Sequence, residues 1–436
     1  MAHFKFPGVE PIGKVVRLVG PVLNVSGVNA AVGNYLQFFS PSAKARFGEV
    51  IGLERNSKGD ALLSVMPLGE SEGFEHGTYV SLVDPKNAQA TVIEPGCVVD
   101  GLGYSLDPQN GLQRYSQDLI PPIMGVSHTK SVYNPRSVEA FSLPTGIRAL
   151  DICIPLVSGQ RVALLAPAGV GKSTLLSMIL NGTHADKVVL CLVGERGREA
   201  TELVQQIINA GQLDRCVIVV ATSDRPAAER AKAPVLAMQV AEQLCAAGEH
   251  VLVLVDSLTR YCRALREIGL AAGEAPTRRG YPASVFAALP KILERAGNFQ
   301  VGSISMVASV LVEDELMPDP IAEEVQSLSD GHIWLSRSLA AQGRFPAIDV
   351  LKSVSRMANM VQDAAMSNIA NKVRRCLTSL DQNDTLIRMG EYRWGQNQQM
   401  DQEIQSAKKL ATVLSQSRDD FVSINDAVEQ FETALE

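Results

Sequence analysis

A chain of 436 residues that is 46% hydrophobic and 20% charged is too long for one ordinary core and too apolar to be disordered, so two or three folded domains are expected. A net charge of −7 argues against broad binding to a phosphate backbone, and therefore against a nucleic-acid partner. The seven cysteines (97, 153, 191, 216, 245, 262 and 376) are odd in number, scattered and never spaced as CxxC, which fits reduced thiols in the cytoplasm and excludes a disulfide framework or a zinc site.

The opening MAHFKFPGVEP has no apolar run and does not read as a signal peptide. No stretch approaches 18 uninterrupted apolar residues, so any membrane contact is expected to be peripheral. Up to about residue 85, short β-branched runs such as Gly13-Lys-Val-Val-Arg-Leu-Val and Ala61-Leu-Leu-Ser-Val alternate with glycine and proline. Close turns between short strands predict a small barrel or sandwich. From about 86 to 350, apolar strand-like runs alternate with longer helical patterns, the mark of a parallel α/β sheet. The expected core strands are Val162–Leu165, Val188–Val193, Val217–Val220, Val251–Val255 and Ser305–Val310, each uniformly apolar and so covered on both faces. After about residue 351 the tail is polar and helix-prone, with amphipathic spacing in Asp401–Leu414 and Ile424–Leu435, and predicts a small helical domain.

Within the sheet region, Arg161-Val-Ala-Leu-Leu leads into Ala166, Pro167, Ala168, Gly169, Val170, Gly171, Lys172 and Ser173, and then Thr174-Leu-Leu-Ser-Met-Ile-Leu. Strand, glycine-bearing loop and helix in that order make an anion cradle from backbone N–H groups and a helix N-terminus. Lys172 is placed to reach the β and γ phosphates of ATP and the Ser173 hydroxyl to bind Mg²⁺. Ala166 stands where the pattern usually has its first glycine. Because the cradle works through backbone amides, alanine at its mouth is tolerable; the alternative is a glycine-rich turn without a ligand.

Two further strands end in charge. Val188-Val-Leu-Cys-Leu-Val-Gly-Glu-Arg-Gly-Arg-Glu199 puts Glu195 at the carboxyl end of a buried strand, where ligands of open α/β sheets lie. There Glu195 can polarise a water for attack on a γ-phosphate, with Arg196 stabilising charge beside it. The competing reading is that Glu195 and Arg198 only cap the helix Arg198–Asn209. Val251-Leu-Val-Leu-Val-Asp256 ends in an aspartate suited to the Mg²⁺ site, which alone could equally be a helix cap. Arg260, one helical turn on, points back toward the same place. Gly280–Phe286 and Glu313–Pro320 read as exposed, solvated loops.

The whole pattern resembles the ATPase of type III protein secretion systems, a family similar to the catalytic β subunit of rotary ATP synthases. The resemblance covers nearly the whole chain. It rests on Phe141-Ser-Leu-Pro-Thr-Gly-Ile-Arg-Ala-Leu-Asp151, the phosphate loop, Gly194-Glu-Arg-Gly-Arg-Glu199, Asp256-Ser-Leu-Thr-Arg-Tyr-Cys-Arg-Ala264, Gly280–Phe286, Asp330-Gly-His-Ile-Trp-Leu-Ser-Arg337 and Phe345-Pro-Ala-Ile-Asp-Val-Leu-Lys-Ser-Val-Ser-Arg356. It implies an α/β fold: a RecA-like P-loop core with a parallel sheet (86–350), preceded by a small β-barrel domain (1–85) and followed by a small helical domain (351–436). It also implies a homohexamer with nucleotide between subunits. By resemblance Glu195 takes the general-base position, and Lys172, Ser173 and Asp256 the phosphate and Mg²⁺ positions. Arg196 and Arg260 match arginines on the γ-phosphate side, and Arg356 the arginine finger given to a neighbour's ATP. Phe345 falls where the family sets an aromatic against adenine, the alternative being an ordinary core phenylalanine.

The implied partners are a central stalk protein, a peripheral stalk regulator, chaperone–effector complexes and the export gate at the inner-membrane apparatus. The glutamine-rich tail after Gly390-Glu-Tyr-Arg-Trp-Gly395 matches the family only loosely, and the short amino-terminal lead leaves few residues to dock a regulator. The flagellar export ATPase is the nearest rival, with the same chemistry in another machine. A non-catalytic nucleotide-binding ring subunit would replace the catalytic glutamate, commonly by glutamine, and Glu195 argues against it. An RNA translocase of the same core would need a basic, aromatic platform that the first 80 residues lack.

Overall fold

The structure is a computed structural model and describes residues 13–39, 46–55, 61–70, 73–83, 92–114, 121–124, 139–313 and 319–436. The opening lead, the 85/86 domain boundary and the centre of the Glu313–Pro320 loop lie outside the described residues.

Alternation of buried and exposed side chains builds the first element, a closed barrel. Its strands are β1 (Gly13–Val19), β2 (Val22–Ser26), β3 (Tyr35–Phe39), β4 (Arg46–Arg55), β5 (Ala61–Pro67) and β6 (Tyr79–Leu82). They pair in the order β1-β2-β5-β4-β3-β6, and β6 returns to β1. Val15, Leu23, Val25, Leu36, Phe38, Val50, Leu63, Val65 and Val80 point inward and form its core. Register shifts between Val15 and Arg17 and between Val50 and Gly52 bend two strands, which closure of so small a barrel requires. Gly48 leaves room for the core, since a Cβ there would meet Phe38 Cε2 at 2.9 Å and Val65 Cγ1 at 2.8 Å.

The chain divides into two compact units. One comprises residues 1–131, 189–243 and 255–292. It holds the barrel, the strand Val98–Asp100 parallel to Cys216–Ala221, and the helices Gly197–Asn209 and Leu258–Ala271. The other comprises residues 132–188, 244–254 and 293–436. There the strand Arg161–Ala166 lies between two parallel neighbours, Ser303–Leu311 and Gly331–Trp334. Val354–Ser355 closes that edge antiparallel to Gly331–Trp334. All five expected core strands are present, and Val162–Leu165, Val189–Val193, Val217–Val219 and Val251–Val255 are almost wholly withdrawn from solvent. At the carboxyl end the helices Ala364–Met389, Gln398–Val413 and Ile424–Leu435 bury Val373, Ile404, Ala407, Leu410 and Phe431.

The expectation of an exposed loop at Gly280–Phe286 is corrected. Tyr281 and Pro282 are buried and lead into the helix Ala283–Leu293, whose Val285, Leu289 and Ile292 are buried at helical spacing. The tyrosine–proline pair signals a helix entry, not a mobile turn.

Asp151 ties down the segment before the phosphate loop. It accepts hydrogen bonds from Thr145 N and Oγ1 on one oxygen and from Gly146 N on the other. Burial nevertheless pushes its carboxyl up to about 6, the bonds from Thr145 and Gly146 pulling the other way. Because the folded chain holds this proton more tightly than the unfolded one, Asp151 favours folding most below about pH 4 and loses that contribution as pH rises toward 6. The shift corresponds to at most about 3 kcal/mol. Asp151→Asn should flatten the decline in denaturant stability between pH 4 and 6; an unchanged slope refutes the assignment.

Candidate active site

The phosphate loop starts from a rigid strand. Val162 to Ala166 are buried, and Ala166 sits in register with Leu311. Its carbonyl accepts a hydrogen bond from Val312 N. Ala166 is thus extended, with no need for the left-handed backbone that favours glycine, which explains the alanine at the loop mouth. The need falls instead on Gly169 (φ 80°) and Gly171 (φ 88°), where an L side chain is strained. Gly171 caps the helix Lys172–Gly182 without any side-chain hydrogen bond, and the first turn contains no acidic residue. The first N–H groups of a helix have no partner within it and carry positive partial charge, so this end suits an anion. Leu175, Leu176, Met178 and Ile179 anchor the helix inward, Lys172 is buried, and Ser173 and Thr174 face solvent.

Phe345 stands by this loop. A Cβ built on Gly171 would lie 3.7 Å from Phe345 Cδ1. Phe345 is 47% exposed, which disagrees with an ordinary core phenylalanine. Its carbonyl accepts a hydrogen bond from Gln416 N at 2.7 Å.

The second set of residues lies in the other unit. Gly194 (φ 65°) turns the chain out of the strand Lys187–Val193 and is followed by Glu195, which is only 7% exposed. Glu195 Oε2 pairs with Arg260 Nη1 at 2.7 Å. The same Nη1 donates to the Gly194 carbonyl, and the Glu195 carbonyl accepts from Ser223 N at 2.8 Å. Main chain and side chain of Glu195 are both held, and Arg260 leans on the bare face of Gly194. The helix-capping alternative does not fit. The cap residue of Gly197–Asn209 is Arg196, which makes no side-chain cap bond, and Arg198 pairs with Glu202 on the solvent side.

Arg196 is not brought to the Glu195–Arg260 pair. Its side chain is 80% exposed and bonds Glu199 Oε1 at 3.1 Å. Asp256, 1% exposed, ends the strand His250–Asp256. The cap of the next helix is Ser257, whose Oγ accepts from Arg260 N at 3.4 Å, so the capping alternative for Asp256 fails too. Arg356 is exposed beyond the edge strand Val354–Ser355, with its N–H on the Asp330 carbonyl. Ser173 carries a hydroxyl and Asp256 a carboxylate, each a hard oxygen donor of the kind that Mg²⁺ takes.

A strand, a glycine-bearing loop and a helix whose open N-terminus suits an anion define a P-loop nucleotide-binding core. The comparisons agree: residues 146–355 match the model of the ATP synthase alpha/beta family, nucleotide-binding domain, and residues 363–433 match the T3SS EscN ATPase C-terminal domain. The chain is 41% identical over 419 residues to the type 3 secretion system ATPase of Xanthomonas euvesicatoria, spanning 96% of this chain and 92% of that protein. It is 37% identical to the SPI-1 type 3 secretion system ATPase of Salmonella typhi, with 94% of each covered. It is 36% identical to the flagellum-specific ATP synthase of Bacillus subtilis, covering 95% and 93%. The structure of the assembled ATPase EscN from the enteropathogenic E. coli type III secretion system superposes with a TM-score of 0.85 at 35% identity, over 97% of this chain and all of that one. The chain belongs to the type III secretion system ATPase family.

Sequence reasoning missed Gln416, Ser257 and Gly194. Gly194 had a signal, since a glycine between an apolar strand and a charged pair marks a turn. Gln416 had none, lying in a glutamine-rich tail whose pattern announces only helices.

Proposed function

We propose that this chain hydrolyses ATP to energise type III protein secretion, releasing chaperones from export cargo and unfolding it at the cytoplasmic base of the apparatus. The observation that carries the reading is the buried Glu195 carboxylate, gripped by Arg260 at 2.7 Å, in a chain so similar to secretion ATPases. Backbone N–H groups from Ala168 to Thr174 wrap the phosphates, Lys172 meets the β and γ oxygens, and Phe345 packs against adenine. Ser173 and Asp256 would hold Mg²⁺, which when bound would neutralise charge on the β and γ phosphates. Glu195 takes the proton of the attacking water, Arg260 keeps that carboxylate aimed, and Arg196 swings from Glu199 to the γ-phosphate side.

The assembled EscN and its complex with the central stalk EscO support a homohexamer around a central stalk here. Chaperone–effector complexes, the export gate and a peripheral stalk regulator complete the set. No helix among the described residues is long and apolar enough to cross a membrane, and attachment through these partners is peripheral. Flagellar export, favoured by the Bacillus relative, is the second reading.

One test addresses both. Lys172→Ala, a change that removes the charge nearest the β and γ phosphates, should reduce Mg²⁺-dependent phosphate release to background. Carried in the native host, it should stop secretion of export cargo while swimming persists. Loss of swimming with secretion intact would reverse the assignment to the flagellar machine.

A further inference from the structure

Gln416 lies in the link between the helices Gln398–Val413 and Ile424–Leu435, yet it is only 7% exposed. Burying an amide is costly unless both of its ends are hydrogen-bonded. Here both are. Oε1 accepts from Arg148 N at 3.0 Å, and Nε2 donates to the carbonyls of Gly146 at 2.7 Å and Asp420 at 2.5 Å. Its main-chain N–H meets the Phe345 carbonyl.

The surrounding contacts tighten the same link. Arg148 Nη1 donates to Gln430 Oε1 at 2.8 Å, Arg148 Nη2 to the Ser415 carbonyl at 2.7 Å, and Val422 N to the Gly146 carbonyl at 3.1 Å. Phe421 fills the space beside Gly146 and Gly182, where a Cβ on Gly182 would come within 2.8 Å of its ring. Gly182 is the last residue of the phosphate-loop helix. The link 415–422 therefore grips both the far end of that helix and the main chain of the aromatic beside Gly171. Phe345 is half-exposed, so its main-chain tether contributes to where it stands.

We infer that Gln416 is a positioning residue of the nucleotide site: its buried side-chain amide fixes the link whose main-chain N–H holds the Phe345 carbonyl, so that the C-terminal helical segment sets how well the base is held. The inference rests on the proposed packing of Phe345 against adenine. It adds that residues of the segment matching the T3SS EscN ATPase C-terminal domain tune ATP affinity and base preference.

The experiment measures steady-state KM and kcat with ATP and with CTP, whose smaller pyrimidine stacks less well. Gln416→Ala should raise the ATP KM about tenfold, the scale of one base–aromatic contact, while changing the CTP KM and kcat by no more than about twofold. In a Phe345→Ala background the same change should add nothing, because both act through one contact. Equal rises for ATP and CTP, or effects of the two substitutions that multiply, show a merely structural glutamine and overturn the inference. If Gln416→Ala fails to fold, Gln416→Met keeps length and burial while removing both hydrogen-bonding ends and carries the same expectation. Should Phe345→Ala alone leave the ATP KM unchanged, the adenine role fails, and with it the basis for Gln416.

Discussion

Glu195→Gln should lower the rate of phosphate release by about 10²- to 10⁴-fold while ATP still binds. The substitution is nearly isosteric and leaves the phosphate loop alone. Glutamine can still accept from Arg260 Nη1 through its oxygen, so the 2.7 Å contact and the hold of Arg260 on Gly194 survive in weakened form. What disappears is the negative charge and the capacity to take a proton. The change therefore removes proton transfer from the transition state without dismantling the strand end that carries it. Binding of a fluorescent ATP analogue, measured beside phosphate release, separates the two effects. Undiminished turnover rejects Glu195 as the base. Loss of nucleotide binding together with turnover says that the substitution has disturbed the turn at Gly194 instead. A control follows from the same geometry. Arg260→Lys puts an ammonium on a shorter, more flexible stem in place of the Nη1 that meets both Gly194 and Glu195, and should cost part of the same rate by letting the carboxylate wander.

How far the chain could be read before folding depended on whether a role is local. Gly169 and Gly171 were legible because a phosphate loop needs left-handed backbone at fixed offsets, and both adopt it. Ala166 looked like a defect in the motif, yet that position is paired extended strand, so nothing selects glycine there. The core strands were legible because four or more consecutive apolar residues suit a sheet covered on both faces. Glu195 was ambiguous between catalysis and capping because both roles favour charge at a strand-to-helix turn. The Glu195 side chain turns toward Arg260 and away from the helix start, which removes the capping reading. Arg196 shows the limit in the other direction: adjacency in sequence to Glu195 did not bring it to Arg260, since successive residues leave a turn on different sides. Gln416 was unreadable for the plainest reason. Its side-chain partners Arg148 and Gly146 are 268 and 270 residues away in sequence, and no periodicity reports a contact across such a distance.

The second large effect belongs to Arg356. Arg356 is exposed on its own chain, as the proposed role toward a neighbour's nucleotide requires. Arg356→Ala should lower turnover by about 10³- to 10⁵-fold, equivalent to about 4–7 kcal/mol of transition-state stabilisation, while each subunit still binds ATP. A loss of rate alone does not distinguish action in trans from action within the subunit, but mixing does. In a ring assembled from Glu195→Gln and Arg356→Ala subunits, a site is intact wherever an Arg356→Ala subunit supplies Glu195 and its neighbour of the other kind supplies Arg356. Random assembly of equal amounts makes about a quarter of the sites intact, one half times one half, if the sites work independently. Two proteins that are each nearly inert should therefore regain activity on co-refolding, up to about a quarter of the wild-type rate. If Arg356 serves the nucleotide of its own subunit, every site in the mixture lacks either the base or the arginine, and no recovery is possible. Dilution supplies the independent check. Specific activity of the wild-type chain should rise steeply with protein concentration as rings form, because the finger reaches its target only across an interface, and a flat profile in dilute monomer removes Arg356 from the site.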